Sequence, residues 1–180
     1  LTDEMVVLIS ACAVQLSFGY PGIFLRHFNR ILIYPDDYYS TITRRYHQGE
    51  VNRGGIIVLS WKNFLSGYAD ESDGRNLGLH EMAHALLLEN HIINGEFEFI
   101  DDRALDDWGR LARKEVFAIE QGNSIFRSYG ITNAHELFAV AVEVYFERPN
   151  ELKNYSPGWY TVMSQLLNQD MLKLTGDQKL

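Results

Sequence analysis

The chain is poor in several things that would decide its class early. A single cysteine, Cys12, stands in an apolar run, so no internal disulfide forms and the fold needs no oxidising compartment; its simplest role is packing. Basic residues are outnumbered, 16 Lys and Arg against 24 Asp and Glu, for a net charge of −8. Such a chain lacks the clustered positive surface that phosphate backbones select, and nucleic acid is excluded as a partner. No run reaches the roughly 18 consecutive apolar residues of a membrane span. The longest, Met5 to Phe18, is broken by Ser10, Gln15 and Ser17 and reads as a buried helix. With no targeting segment in view the expected compartment is the cytoplasm, although a start at Leu1 leaves room for an upstream targeting or anchor segment. Neither linkers nor repeats interrupt the 180 residues, 46% of them hydrophobic, so a single domain spanning 1–180 with its own core is expected.

What is present is concentrated at Gly78-Leu79-His80-Glu81-Met82-Ala83-His84-Ala85-Leu86. This is an HExxH pattern among good helix formers. Residues four apart stack on one helix face, so the imidazoles of His80 and His84 can grip one metal ion while Glu81 projects beside it. By average residue usage the three fixed letters arise by chance in about half a percent of chains this long. The apolar neighbours Leu77, Leu79, Met82, Leu86 and Leu87 argue for a helix packed in the core rather than two histidines facing solvent.

The flanking segments can be read from their punctuation. Thr2 caps a helix over Asp3–Leu16, closed by Gly19 and Pro21. Ile31–Tyr34 is a short strand that ends at Pro35, while Tyr38–Tyr46 fits neither pattern cleanly. After Gly54-Gly55, the run Ile56–Ser60 is a second strand. It is either an ordinary interior strand or the sheet edge beside the metal helix; as an edge it would pair with an extended peptide. Lys62–Tyr68 suggests a helical turn, and Ala69–Gly74 an acidic loop whose Ser72 or Asp73 caps the metal helix, which runs to about Glu89. Asn94–Ile100 reads as a loop or a short exposed strand. Asp101–Gln121 is an amphipathic helix ended by Gly122 and Asn123.

A second helix with chemistry begins at Thr132 or Asn133 and stops before Pro149. It is apolar nearly all round. Its exceptions Glu136, Glu143 and Glu147 lie on one stripe with Val140, and buried carboxylates need partners that a metal and its histidines would supply. Ser156-Pro157 opens a last amphipathic helix through Tyr160, Met163, Leu166 and Leu167, and the final residues look frayed. Overall these elements make an α+β protein, mainly helical, with a small β-sheet next to the HExxH helix.

A catalytic zinc site needs a third protein ligand and keeps its fourth position for water. The extended HExxHxxGxxH solution fails, because Leu87 and Asn90 stand where Gly and His are required and His91 is one residue out of register. Glutamate from a later helix is the remaining common solution, with Glu136 lying 52 positions beyond His84 (136 − 84). His47, His91 and His135 are chemically capable but stand in no recurring ligand spacing.

Several motifs in order, Leu1–Glu4, Ile33–Asp36, Val58–Trp61, Leu79–His84 and Glu136–Val140 with Glu143, make the chain similar to the Mlc titration factor A peptidases. These are bacterial zinc metallopeptidases of the glutamate-zincin type, themselves similar to the anthrax lethal factor catalytic domain. The resemblance implies a zincin-like fold, Zn2+ as cofactor, and His80, His84 and Glu136 as its ligands. It implies Glu81 as general base and Tyr129, seven residues before Glu136, as the tyrosine that assists catalysis. Glu143 is then expected to orient a ligand histidine. The implied activity is peptide-bond hydrolysis on a peptide or protein substrate, as aminopeptidase or endopeptidase. A regulatory protein partner is also implied, since the family's namesake inactivates a sugar-regulon repressor, but no interface residue can be carried over. The competing expectation is a non-catalytic protein-binding module of the same fold that keeps zinc for stability.

Overall fold

The computed structural model describes residues 1–22, 25–41, 43–92 and 99–176. It is an α+β structure, mainly helical, whose sheet is small and mixed. The first helix, α1 (Asp3–Ser17), is capped by Thr2, whose side chain accepts from the Met5 amide. Two short sheets follow. Strands β1 (Arg30–Tyr34), β4 (Gly49–Asn52) and β5 (Ile56–Ser60) form the larger, and β2 (Tyr38–Ser40) with β3 (Arg45–His47) forms an antiparallel hairpin in the segment that sequence patterning leaves undecided.

Strand β5 is the middle strand. It runs parallel to β1, with Arg30 opposite Ile56 and Tyr34 opposite Ser60, and antiparallel to β4, with Gly49 opposite Leu59. Of the two readings of Ile56–Ser60 the interior one therefore holds, and the sheet's edges are β1 and β4, of which β4 lies against Glu81. The physical reason lies in the side chains: Ile57, Val58 and Leu59 are buried on both faces, as suits an interior strand, whereas Gly-Glu-Val-Asn is short and polar, as suits an edge. A three-residue loop joins β4 to β5. Gly55 supplies its left-handed residue (φ 78°), and the Gly55 amide donates to the Asn52 carbonyl at 3.1 Å.

Helix α2 (Trp61–Ala69) leads to α3 (Leu77–Ile92), the helix of the HExxH pattern. Its cap is neither Ser72 nor Asp73. The carboxylate of Asp73 turns back to the Arg75 amide, the chain takes a left-handed step at Gly74, and Asn76 becomes the cap, accepting from the Leu79 amide at 3.0 Å. One further donor of Asn76, its Nδ2, reaches Glu147 at 3.1 Å. Asn94–Glu98, expected as loop or exposed strand, lies outside the described residues, as do 177–180 at the end of the chain.

Helix α4 (Asp102–Glu120) is capped by Asp101, and α5 (Ala134–Glu147) by Asn133; between them lies a 3-10 turn, Ser128–Ile131. Every residue of α5 from Leu137 to Phe146 is buried, so this helix is the centre of the core and α3 packs directly against it. Removing a side chain such as Phe138 from such a helix costs about 3–5 kcal/mol. Pro149 starts a separate short helix, α6 (Pro149–Tyr155), and Ser156-Pro157 opens α7 (Pro157–Leu166) with cap and first turn as expected. A buried carboxylate, Glu115, ties α4 to both: it accepts from Tyr155 Oη and Trp159 Nε1, each at 2.7 Å. The chain ends in α8 (Met171–Gly176). Among the described residues no helix is long and apolar enough to cross a membrane.

Because Asn76 both caps α3 and holds Glu147, Asn76→Ala should lower stability by about 1–2 kcal/mol, and Asn76→Ser, which keeps a capping oxygen, should lose less. Urea unfolding of the two variants measures this, and an unchanged midpoint for the alanine variant would contradict it.

Candidate metal centre

The second turn of α3 and the first turn of α5 face each other. Their approach brings His80 Nε2, His84 Nε2 and Glu136 Oε2 together, with His80 to Glu136 at 3.0 Å, His84 to Glu136 at 3.4 Å and the two nitrogens 3.2 Å apart. Tetrahedral coordination with bonds of about 2.0–2.1 Å separates neighbouring ligand atoms by about 3.3 Å. The three donors thus already stand at the spacing a small divalent cation would impose. They form a group that could hold a metal ion, drawn from the residues the HExxH pattern and the later glutamate point to.

Each donor has a local cause. The i, i+4 spacing stacks the two imidazoles on one face of α3. Glu136 is held at the start of α5, where Asn133 accepts from the amides of His135 and Glu136, and the positive end of the helix favours its carboxylate. His80 is further oriented through its other nitrogen, Nδ1, which lies 2.7 Å from Glu143 Oε1. That carboxylate, only 1% exposed, does what its place on the stripe suggests and fixes a histidine rather than joining the donor group. Glu147, the third carboxylate of the stripe, instead accepts from Asn76 Nδ2 and the Arg75 amide.

The electrostatics favour positive charge here. Burial acts to lower the His80 pKa, but hydrogen bonds to Glu136 and Glu143 and the charges of Glu143 and Glu81 outweigh it and lift the imidazole to about 9. Burial likewise acts to raise Glu136, yet its hydrogen bonds to His80 and His84 hold the carboxyl well below the usual range. Glu81 differs from both. It is 5% exposed, it makes no hydrogen bond among the described residues, and it faces the cleft. Burial pushes its pKa up to about 8; the neighbouring Glu136, Glu143 and Glu50 add to this and His80 opposes it. A buried carboxylate with its lone pairs uncommitted is the form a proton acceptor takes.

A cleft of about 760 Å3 is lined by His80 and Glu81, whereas His84 and Glu136 lie outside its lining. Strand β4 forms one wall. A Cβ at Gly49 would stand 2.2 Å from Glu81 Oε1, so a larger residue there would push the carboxylate out of its present position. Tyr129, on the 3-10 turn, forms part of the other wall; it is 50% exposed, with its ring centroid 5.8 Å from that of His80. Partial burial and the charges of Glu136 and Glu81 raise its pKa.

The three other candidate histidines stand apart from the donor group. His91 is exposed and bonds the Leu87 carbonyl, His135 is exposed at the start of α5, and His47 lines the cleft while paired with Thr43. Sequence reasoning missed Asn76, Gly49 and Arg127. An asparagine just before an apolar helical run signals the first, and a glycine opening a short strand the second. Only the general need of a buried carboxylate for a partner points toward the third.

A model of the family described as glucose-regulated metallo-peptidase M90 matches residues 1–167. The chain belongs to this family. Its similarity extends to an uncharacterized protein, slr2042, of Synechocystis sp., 28% identical over 91% of this chain and 66% of that protein. Mlc titration factor A of Escherichia coli is 26% identical over 92% of this chain and 70% of its own length, and the protein of that name in Shigella flexneri is 25% identical over the same shares. The chain therefore spans about two thirds of the length of the relatives it matches. Membership in a metallopeptidase family implies a peptide or protein substrate.

Replacing Glu136 by Gln exchanges an anionic donor for a weak neutral one at unchanged shape. Glu136→Gln should weaken the binding of a divalent metal ion at least about tenfold while leaving the circular dichroism spectrum unaltered. A chelator competition titration measures it, and parental affinity would remove Glu136 from the donor group.

Proposed function

We propose that the chain is a zinc-dependent peptidase in which His80, His84 and Glu136 hold the metal, Glu81 is the general base and Tyr129 stabilises the developing oxyanion. The observation that carries this reading is the Glu81 carboxylate: buried, free of hydrogen bonds among the described residues, and lining the cleft together with His80, one of the three converging donors. Zinc held by His80, His84 and Glu136 would supply Lewis acidity toward the scissile carbonyl and the attacking water. Glu81 takes the proton of the attacking water and returns it to the departing amine. Tyr129 Oη donates a hydrogen bond to the carbonyl oxygen as negative charge builds there.

The substrate is held by β4 rather than β5. The Ser60 amide donates to the Gln48 carbonyl at 2.7 Å, and the register continues with Glu50 opposite Val58 and Asn52 opposite Ile56. In an antiparallel ladder hydrogen-bonded pairs alternate with non-bonded ones, so the N–H and C=O groups of Gly49 and Val51 point away from β5. An extended peptide adding to this edge would pass over Glu81, which lies against Gly49.

A purely structural zinc site is closed by four protein ligands. Among the described residues three donor atoms converge, and the cleft opens beside them. This supports the catalytic reading over a non-catalytic binding module.

Two substitutions separate the roles. Glu81→Gln fills the same space but accepts no proton, and it should keep zinc while lowering peptide cleavage by about 10^2–10^4-fold. Tyr129→Phe should likewise keep zinc and lower kcat by about ten- to a thousand-fold with little change in KM. Zinc analysis with steady-state kinetics on a peptide library decides both. Parental turnover in the first variant would remove Glu81 as base; loss of metal in the second would remove Tyr129 from the reacting carbonyl.

A further inference from the structure

We propose that Arg127 is the positioning residue that ties the Tyr129-bearing turn to the His80–Glu143 pair. The inference rests on the peptidase reading above and adds a residue to it. Arg127 immediately precedes the 3-10 turn in extended backbone (φ −71°, ψ 156°), at the cap position, and its side chain makes no capping bond. The guanidinium reaches the other way. Its two terminal nitrogens take both oxygens of Glu143, Nη1 to Oε2 at 2.8 Å and Nη2 to Oε1 at 2.6 Å, and Nη1 also donates to the Gly74 carbonyl at 2.9 Å. This fork-to-fork pairing fixes direction as well as distance, which a lysine cannot do.

The carboxylate so gripped is the one that orients His80. Glu143 Oε1 also meets His80 Nδ1, and Oε2 accepts from the Asn76 amide at 2.7 Å. One side chain of the turn is therefore tied, through a single buried carboxylate, to a proposed metal ligand and to the cap of its helix. Tyr129 follows two residues later, its ring 5.9 Å from the guanidinium carbon. The flanks of the turn are held by apolar contacts, Phe126 in the core and Gly130 against Leu137, but these lie on the core side. On the cleft side Arg127 makes the tie to Glu143, beside the contact of the Tyr129 hydroxyl with Glu136. Its charge is matched by Glu143, so it serves geometry rather than capture of a substrate carboxylate.

A misplacement of about 1 Å in a catalytic group can cost about a hundredfold in rate. Arg127→Gln should accordingly retain zinc, lower kcat by about ten- to a hundred-fold, and change KM by less than about threefold. Arg127→Lys should fall between parent and the glutamine variant, and it is the variant to read should the glutamine form fail to fold. The decisive comparison is with Tyr129. If Arg127 acts by placing that ring, Tyr129→Phe will cost much less in the Arg127 variant than in the parent, whereas full multiplication of the two losses would overturn the proposal. A second readout needs no turnover: hydrogen exchange of the metal-free Arg127 variant should quicken more at residues 127–132 than in the core of α5, which reports only the global loss of stability. Parental exchange at 127–132 would overturn the tie. A parent protein with zinc but no cleavage would sink the peptidase reading, and the exchange result would then decide by itself for or against the tie.

Discussion

The buried carboxylate of Glu143 is the interaction on which the site depends. It stands on the most buried helix of the fold and receives His80 Nδ1, the Asn76 amide and both arms of Arg127. Burying an isolated charge costs several kcal/mol even after relaxation, so the four hydrogen bonds from its three partners are what let the core accept it. The same bonds join α3, α5, the loop before α3 and the turn before α5. Removing one partner of such a group typically costs about 3–5 kcal/mol, more than almost any surface change. The rotamer of His80 is thereby decided by the packing of the whole core rather than by local helix geometry.

Around this anchor the chemistry is divided between two carboxylates with opposite surroundings. Glu136 is surrounded by donors and held as an anion, which suits a ligand. Glu81 has burial and like charges against it and no hydrogen bond among the described residues, which raises its proton affinity. Two groups of one chemical type, both within reach of His80, are pushed apart by environment, and that separation suits one to hold a metal ion and the other to accept a proton. The bare backbone of Gly49 completes the arrangement by letting the sheet edge lie against the base.

What was legible in the sequence was what local pattern encodes. The HExxH face, the caps at Thr2, Asn133 and Ser156, the amphipathic α4 and the apolar α5 with its carboxylate stripe all express themselves within a few residues of chain. Strand order does not. Ile56–Ser60 reads as an edge or an interior strand until its neighbours are known, and the edge, Gly49–Asn52, is too short to carry a clear alternation. The cap of α3 was misplaced because Ser72 and Asp73 are equally good capping residues, and only the left-handed step at Gly74 moves the helix start to Asn76. Arg127 was invisible for another reason: its meaning comes from Gly74 and Glu143, which the fold brings to it from elsewhere in the chain.

The central claim is that two imidazoles and one carboxylate form an open metal centre beside the cleft that His80 and Glu81 line. X-ray absorption at the zinc edge on stoichiometrically loaded protein tests it most directly. Two imidazole nitrogens at about 2.0–2.1 Å, with the rest of the shell oxygen at about 2.0–2.2 Å, are expected. A sulfur contribution at about 2.3 Å, which only Cys12 or a methionine could give, or a shell of oxygen alone, would contradict it.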